Sequence, residues 1–251
     1  MRALSLSELL TVWERGLDAL PYERALAILS VASPETSPPA LARLSIGRRD
    51  ASLLQLREWA FGSELAILAV CPSCRQTLEL TMPVAGLRVS KDPNMTPGGE
   101  PVGDLESTLI LRDYEVRYRS PNTEDIAGCA GLDIAASRRK LLACCVTDAS
   151  CQGTAVSAQE LPEDVAQKVE EQIAAIDPQA DMRLHLTCPE CHQGWNEVFD
   201  IVSFFWAEID AWARRILTEV NVLAQAYGWR ESDILALSAA RRQIYLAMAQ
   251  A

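Results

Sequence analysis

Two short cysteine pairs constrain the fold of this chain more than any other feature. Cys71 and Cys74 enclose a Pro-Ser dipeptide, and Cys188 and Cys191 enclose a Pro-Glu dipeptide. A C-x-x-C turn presents two thiolates, and two such turns supply the four ligands of a closed tetrahedral zinc site. We therefore predict one structural Zn²⁺ per chain, bound by all four cysteines.

Each cysteine pair lies between two apolar segments with strand-like character. The segments are residues 65–70 and 78–82 around the first pair, and 182–186 and 195–201 around the second. In residues 77–82, polar and apolar residues alternate with the period of a half-buried strand. The pattern predicts a duplicated strand-knuckle-strand unit, in which the "knuckle" is the C-x-x-C turn. The long separation between the pairs is tolerable because loop-closure entropy grows slowly with length.

Other interpretations of the cysteine pairs remain open. Each C-x-x-C could instead form a redox pair or a disulfide, and a metal could be catalytic. Four thiolates leave no open coordination position, which favours a structural metal. His185 and His192 flank the second pair, but neither has a partnered base or nucleophile nearby in the sequence, so we expect no catalytic role for them.

The other four cysteines lack paired spacing. They are Cys129, Cys144, Cys145 and Cys151, in or beside a predicted helical insert. Free cysteines often behave as small apolar core residues. We expect buried thiols here, and the sequence leaves any further role of these residues open.

Helical periodicity dominates the rest of the chain and predicts an α+β, mainly helical fold. The small antiparallel, zinc-ribbon-like sheet is expected to form from the two cysteine units. We predict four parts: residues 1–63 as a helical amino-terminal block, 64–89 plus 180–200 as a split zinc-ribbon-like core, 90–179 as a hairpin and helical insert, and 201–251 as carboxy-terminal helices. Asp50 is a candidate cap for a helix over 51–61.

Several finer elements follow from the same patterns. Residues 90–103, rich in proline and glycine, predict a loop, and a hairpin is expected from strands 108–111 and 115–119. Helices are predicted over 123–130, 133–144 and 162–176 in the insert, and over 201–227 and 239–249 at the end of the chain. In the last helix we expect Ile244, Tyr245 and Met248 to face inward.

Charge and hydropathy exclude some classes of function. The chain has 34 acidic and 23 basic residues, a net charge of −11, so its overall field repels phosphate backbones. The apolar stretch 201–217 is interrupted by four charges and does not predict a membrane helix. No secretory signal is recognisable. We expect a cytoplasmic protein with no membrane contact, for which nucleic acid is a poor partner.

The sequence lacks the common catalytic signatures. It has no glycine-rich phosphate loop, no His-Glu-x-x-His helix and no Gly-x-Ser-x-Gly elbow. We predict a protein without catalytic residues that is not an enzyme.

An aromatic and basic group near the end of the chain is the candidate partner surface. Its members are Tyr227, Trp229, Arg230, Arg241, Arg242 and Tyr245. Aromatic residues and arginine are enriched at the centres of interfaces. Packing of the same residues in the core is the competing interpretation.

Several segments resemble a family of proteins associated with the baseplate hub of contractile phage tails and with related bacterial contractile injection systems. The similar segments are residues 13–16, 44–50, 71–74, 116–121, 124–125 and the closing stretches 227–229, 234–237 and 241–245. The resemblance implies a non-enzymatic baseplate component or hub assembly factor, with hub or spike proteins as partners, that acts in the cytoplasm or inside a tail-like particle. The alternatives are a zinc-ribbon regulator that binds nucleic acid and a C-x-x-C thiol oxidoreductase.

Overall fold

The computed structural model describes residues 1–89 and 106–249 of the 251-residue chain. The predicted loop over 90–103 lies outside the described residues. The α-helices are α1 (Leu6–Gly16), α2 (Pro21–Ala32), α3 (Pro38–Ala42), α4 (Ile46–Phe61), α5 (Thr123–Gly128), α6 (Ile134–Cys145), α7 (Glu163–Ile176), α8 (Ile201–Tyr227), α9 (Glu231–Leu235) and α10 (Ala239–Ala249). Short 3₁₀ turns occupy Val84–Leu87, Ala158–Glu160 and Pro178–Ala180.

The strands form three antiparallel sheets. They are β1 (Glu64–Val70), β2 (Thr77–Pro83), β3 (Glu106–Leu111), β4 (Tyr114–Arg119), β5 (Val146–Cys151), β6 (Thr154–Ala155), β7 (Arg183–Thr187) and β8 (Gly194–Val198). β1 pairs with β2 to form the first cysteine hairpin, and β7 pairs with β8 to form the second. The remaining strands form a four-stranded sheet in the order β3-β4-β5-β6. The α+β, mainly helical fold class predicted from the sequence is confirmed.

The largest hydrophobic core joins the amino-terminal helices, both cysteine hairpins and the first half of α8. Its buried members include Leu10, Ile28 and Leu54 from the helical block. Leu65 of β1 and Leu184 of β7 enter the same core. The inner faces of the two hairpins are therefore anchored on one common base, although the hairpins are distant in sequence.

α8 is bounded by clear local signals. The side chain of Asp200 caps its first turn by accepting a hydrogen bond from the N–H of Val202, 2.9 Å away. Gly228, with φ of +68°, ends it in the left-handed conformation that favours glycine. One face of α8 is an apolar stripe that is buried, from Phe205 through Ile216 to Leu223. Within the described residues, no helix is long and apolar enough to cross a membrane.

The inserted segment has a separate core. β4 contributes Val116 and Tyr118, and α7 contributes Val165 and Val169. A backbone hydrogen bond of 3.0 Å from the N–H of Ile46 to the carbonyl of Pro121 and the bridge between Ser45 and Asn122 connect the insert to the start of α4.

Some predicted elements are wrong in detail. One small sheet was expected, whereas each cysteine hairpin is a separate two-stranded sheet. β8 ends at Val198 rather than continuing to Ile201, because Asp200 already caps α8. β5 and β6 were not predicted.

The start of α4 also differs from the prediction. The helix begins at Ile46, and its cap is Ser45, whose Oγ accepts from the N–H of Arg48 at 3.4 Å. Asp50 therefore lies inside the helix, where it is buried beside Arg49. The prediction that Asp50 caps the helix is wrong.

The inward face of α10 is a further correction. Ile244 and Met248 are exposed and Tyr245 is only partly buried, whereas Arg242 and Leu246 face the core. The buried guanidinium of Arg242 pairs with a carboxylate of α8, and this contact sets which side of the helix is turned inward.

Candidate metal centre

The two knuckles have matching backbone geometry. In the first, the N–H of Cys71 donates to the carbonyl of Gln76 at 2.9 Å, and the N–H of Arg75 donates back to Cys71 at 3.0 Å. In the second, Cys188 makes the equivalent bonds with Gln193 and His192 at 2.9 and 3.0 Å. The duplication seen in the sequence therefore extends to individual hydrogen bonds.

A strained residue occupies the same place in each turn. Arg75 has φ of +63° and His192 has φ of +57°, each directly after the second cysteine of its pair. Non-glycine residues rarely adopt this left-handed conformation, and such residues concentrate where the surrounding structure imposes them. In both knuckles the conformation brings the chain back into the hairpin while the two thiols stay on the same side.

The four thiols meet in one place. The Sγ atoms of Cys71 and Cys191 are 3.6 Å apart, and those of Cys74 and Cys188 are also 3.6 Å apart. All four sulfur atoms lie within 4.8 Å of one another. The short distances run between knuckles, so the two hairpins share the site.

These distances fit a metal better than a disulfide. Zn–S bonds of about 2.3 Å place the sulfurs of a tetrahedral site roughly 3.8 Å apart. A disulfide requires about 2.05 Å. The four cysteines thus form a group that can hold a metal ion, and sulfur ligands in a tetrahedron are typical of zinc or iron.

Burial divides the four ligands into two kinds. Cys71 and Cys188, the first cysteine of each pair, are fully buried in a small cluster with Leu78, whereas Cys74 and Cys191 are exposed. Partly buried Trp195 packs against this cluster. One side of the site is closed by the hairpins and the other side faces solvent.

The local electrostatics favour thiolates but oppose four of them together. The backbone N–H groups of Cys74 and Ser73 lower the pKa of Cys71 to about 6. The N–H of Gln76 acts in the same direction on Cys74, but desolvation and the neighbouring thiol of Cys188 raise the pKa of Cys74 to about 12. A cation held between the sulfurs would supply the positive charge that the full set of thiolates needs.

Neither histidine belongs to the sulfur group. Nδ1 of His185 lies 2.9 Å from Oδ1 of Asn196 on the neighbouring strand, on the exposed face of the second hairpin. His192 is exposed at the left-handed position of its knuckle. The metal candidate consists of the four cysteines predicted from the sequence.

The remaining cysteines differ from the prediction of buried thiols. Only Cys145 is buried, and burial raises its pKa to about 12. Cys129, Cys144 and Cys151 are half-buried, because they lie at the edges of the insert rather than in its core.

The candidate partner surface is an aromatic cluster at the end of α8. The rings of Tyr227 and Trp229 stack with their centroids 4.7 Å apart, and Tyr245 meets Trp229 edge-on at 4.9 Å. Arg230 and Arg241 are exposed beside the cluster. The structure brings the three aromatic residues of the predicted set into contact, and the role of this group as a partner surface stays a prediction.

Arg242, the sixth residue, is part of the interior. It is 5% exposed, its Nε donates to Glu219 at 3.1 Å, and its Nη1 donates to the carbonyl of Leu237 at 2.7 Å. A guanidinium satisfied in this way cannot contact a partner without losing these bonds. Its place in the predicted surface is wrong.

Three buried or partly buried contacts of α4 with carboxylates were not predicted from the sequence. Nε of Arg49 donates to Asp50 at 2.7 Å, and the N–H of Gly47 donates to Asp177 at 2.9 Å. Arg57, 3% exposed in its side chain, pairs with Glu208 of α8. A charged residue in a sequence normally predicts an exposed position. Only the close spacing of the charged residues within α4 could have indicated that some of them are buried.

Comparison with known protein families identifies a match over most of the chain. The model of the family described as T4 bacteriophage base plate protein matches residues 9–206. The matched segment contains both cysteine hairpins, the insert and the start of α8. Comparisons with curated proteins and with solved structures give no significant match. The chain belongs to the family of T4 bacteriophage base plate proteins.

Proposed function

We propose that this protein is a non-enzymatic component or hub assembly factor of the baseplate of a contractile tail or injection system. The observation that carries the proposal is the family match over residues 9–206, most of the chain. The arrangement of the site agrees with it, because four thiolates around one metal leave no position for a substrate. In this account the protein works by protein-protein contacts, with hub or spike proteins as its partners.

In this proposal the four cysteines bind zinc, and the zinc has a structural role. Each hairpin alone is a two-stranded sheet, and such a sheet is marginal in water. A metal bound by Cys71 and Cys74 from one hairpin and Cys188 and Cys191 from the other would join them at their tips, while the common core holds their inner faces. Zinc would thus fix the relative position of two elements that are far apart in the sequence.

The aromatic cluster with Arg230 and Arg241 is the proposed partner surface. Stacked rings beside exposed guanidinium groups are the combination found at the centres of protein interfaces. The rings of Trp229 and Tyr245 pack against a buried cluster that contains Leu223 and Ile234, so this part of the surface has a fixed base.

Co-purification with neighbouring gene products tests the proposed function. The tagged chain is co-expressed with the hub and spike proteins encoded beside its gene, and complexes are separated by size-exclusion chromatography. A stoichiometric complex with one of them is the expected result. Absence of any complex with all of these proteins would contradict the baseplate proposal.

Charge reversal tests the partner surface within the same assay. Arg230→Glu combined with Arg241→Glu is expected to weaken the complex by about tenfold or more, the scale of a single interface hot spot. Arg139→Glu combined with Arg215→Glu, which reverses two exposed arginines outside the cluster, is the matched control. Equal binding of both variants would place the interface elsewhere and leave the baseplate proposal standing.

The composition of purified tail particles shows whether the chain stays in the finished baseplate or leaves after assembly. We propose that the chain acts in the cytoplasm during assembly of the hub. Mass spectrometry of purified tail particles separates a resident component, present at a fixed ratio to the hub proteins, from an assembly factor that has left.

A further inference from the structure

A groove of about 560 Å³ lies between the two cysteine hairpins. Four consecutive residues of β1, Ile67–Val70, form one wall. The other wall contains Leu186 of β7 and Val198 of β8, and Phe204 of α8 also lines the groove. We call this feature the hairpin groove. Successive side chains of a strand point to opposite faces of its sheet. Because consecutive residues of β1 line the groove, one edge of β1 lies along it.

The hydrogen-bond register identifies which backbone groups of β1 lie at that edge. The N–H of Cys71 donates to Gln76 at the tip, and the N–H of Val84 donates to Ser63 at the base. In an antiparallel pair, alternate residues exchange hydrogen bonds with the neighbouring strand. The backbone N–H and C=O groups of the odd-numbered residues of β1 therefore point toward β2. Those of Ala66, Leu68 and Val70 point toward the opposite edge of the strand.

That edge has no strand partner within residues 1–89 and 106–249. The sheet of the first hairpin contains β1 and β2 alone. Natural edge strands are usually protected by lysine, proline or a bulge. The pairing of β1 with β2 is regular over Glu64–Val70, and the segment contains neither lysine nor proline. The edge of β1 is thus open to addition of another strand.

The side chains around this edge are apolar and exposed. Leu68 is 71% exposed, Val70 is 52% exposed and Val198, across the groove, is 63% exposed. Exposed apolar residues that cluster along one groove mark a contact surface more often than scattered ones do. The free backbone groups and the exposed side chains therefore fit the same kind of ligand, which is an extended segment with apolar residues at alternate positions.

Charge distinguishes between the possible sources of that segment. The ionisable residues that line the groove, Glu197 and Asp200, are acidic, and β1 itself begins with Glu64. A second copy of this chain would bring the same acidic groups and a net charge of −11. Its β1 has no basic residue to offset them. The acidic rim instead complements lysine or arginine at the ends of a strand from a different protein.

We propose that the hairpin groove binds an extended segment of a baseplate protein, which pairs with the edge of β1, places alternate apolar side chains in the groove and has basic residues at its ends. The identity of the partner as a baseplate protein rests on the proposed function. The strand-binding property of the groove does not depend on it.

Hydrogen exchange and two matched variants test this inference on the full-length, metal-loaded chain. Leu68→Lys removes an exposed apolar side chain from the groove and adds a positive charge. Ile110→Lys makes the same type of change on the outer strand β3 of the insert, where Ile110 is 74% exposed. The chain is combined with the hub and spike proteins encoded beside its gene, and exchange of segment 64–70 is compared with and without them.

The expected result is slower exchange at the amides of Ala66, Leu68 and Val70 in the complex. Leu68→Lys should weaken the complex about tenfold or more, and Ile110→Lys should leave it unchanged. A complex that forms without protection of these amides, or that tolerates Leu68→Lys, overturns the strand-binding inference while the baseplate proposal stands.

A second probe decides the inference if no complex forms and the baseplate proposal fails. This probe is a synthetic peptide of alternating valine and threonine with lysine at both ends, and a glutamate-ended peptide of the same core is the control. Protection of the same three amides by the lysine-ended peptide, and weaker protection by the control, supports the groove as a strand-binding site. Unchanged exchange with both peptides, or protection that increases with chain concentration alone, overturns it.

Discussion

Gly47 lies where α4 meets the end of the insert, and no larger residue fits there. Its N–H donates to a carboxylate oxygen of Asp177 at 2.9 Å. A Cβ placed on Gly47 would overlap the same carboxylate and would lie 3.0 Å from the backbone N of Ala180. The glycine therefore allows a backbone approach that connects two parts of the chain.

Gly47→Ala is expected to destabilise the fold by about 1 to 3 kcal/mol, the usual cost of overpacking. Alanine is otherwise the better helix former by about 1 kcal/mol, so a loss of stability would identify the contact as its cause. Urea unfolding measures the change. Gly86→Ala is the control, because a Cβ placed on Gly86 would have the flexible end of Met82 as its nearest neighbour, 3.5 Å away. Equal stability of the two variants would contradict the close approach.

Asp50 gives the stability a specific pH dependence. Burial raises its pKa from 3.8 to about 6, against the opposing effect of Arg49. The folded state therefore binds a proton more tightly than the unfolded state, and the free energy of unfolding falls as the pH rises from about 4 to about 6. Above that range both states are ionised and this contribution no longer changes.

Asp50→Asn is expected to remove this dependence. Between pH 4 and pH 6.5 the wild-type chain should lose about 2 kcal/mol relative to the variant, because most of a shift that is worth about 1.4 kcal/mol for each pKa unit is lost over that interval. Comparing the two chains at each pH cancels effects that they share, such as loss of metal in acid. Parallel stability curves for wild type and variant would contradict the raised pKa.

At the scale of elements, Arg57 connects the end of α4 to the first cysteine hairpin and to α8. Its Nη1 donates to the carbonyls of Gly62 and Glu64 at 2.8 and 2.6 Å, and its Nε donates to Glu208 at 2.8 Å. The guanidinium thus fixes where β1 begins. Removing one partner from a buried pair leaves the other groups without compensation.

Arg57→Met is expected to cost about 3 kcal/mol of unfolding free energy, because methionine keeps much of the volume but none of the donors. Arg214→Met is the control, since Arg214 is exposed and pairs with Asp210 along the same helix. The urea concentration at the midpoint of unfolding should be the same for Arg214→Met as for the wild-type chain. An unchanged midpoint for Arg57→Met would show that the contact contributes nothing to stability.

The elements differ in how well their local sequence specifies them. The cysteine hairpins and α8 were predicted because their alternation, turn residues and stop signal agree with one another. The start of α4 was not predicted, because Gly47 is a poor helix former and its place in the first turn depends on a contact with the distant Asp177. The inward face of α10 was not either, because a buried ion pair between Arg242 and Glu219 overrides the apolar pattern.

The candidate metal site could be predicted almost completely, whereas the hairpin groove could not. Paired C-x-x-C spacing fixes the ligands without knowledge of the fold. The groove depends on how two hairpins are placed on a common core and on which strand edge stays open. Those properties belong to the assembled structure.

At the scale of the whole molecule, the proposed metal would connect hairpins that already share a core, so its removal should have a local effect first. A zinc chelator is expected to speed hydrogen exchange in residues 64–83 and 183–198. The insert has a separate core around Val116 and Val169 and should keep its protection. Cys129→Ser, outside the sulfur group, should respond to the chelator as wild type does. Simultaneous loss of protection everywhere would contradict a local role.

The most direct test of the account is the metal content of the folded, purified chain. Elemental analysis should find one zinc per wild-type chain and almost none in Cys188→Ser. Removal of one ligand should also destabilise the two cysteine hairpins strongly, since zinc binding contributes on the order of 10 kcal/mol to folding in small zinc domains. A wild-type chain that is properly folded with well under one zinc, or with iron in its place, would contradict the account.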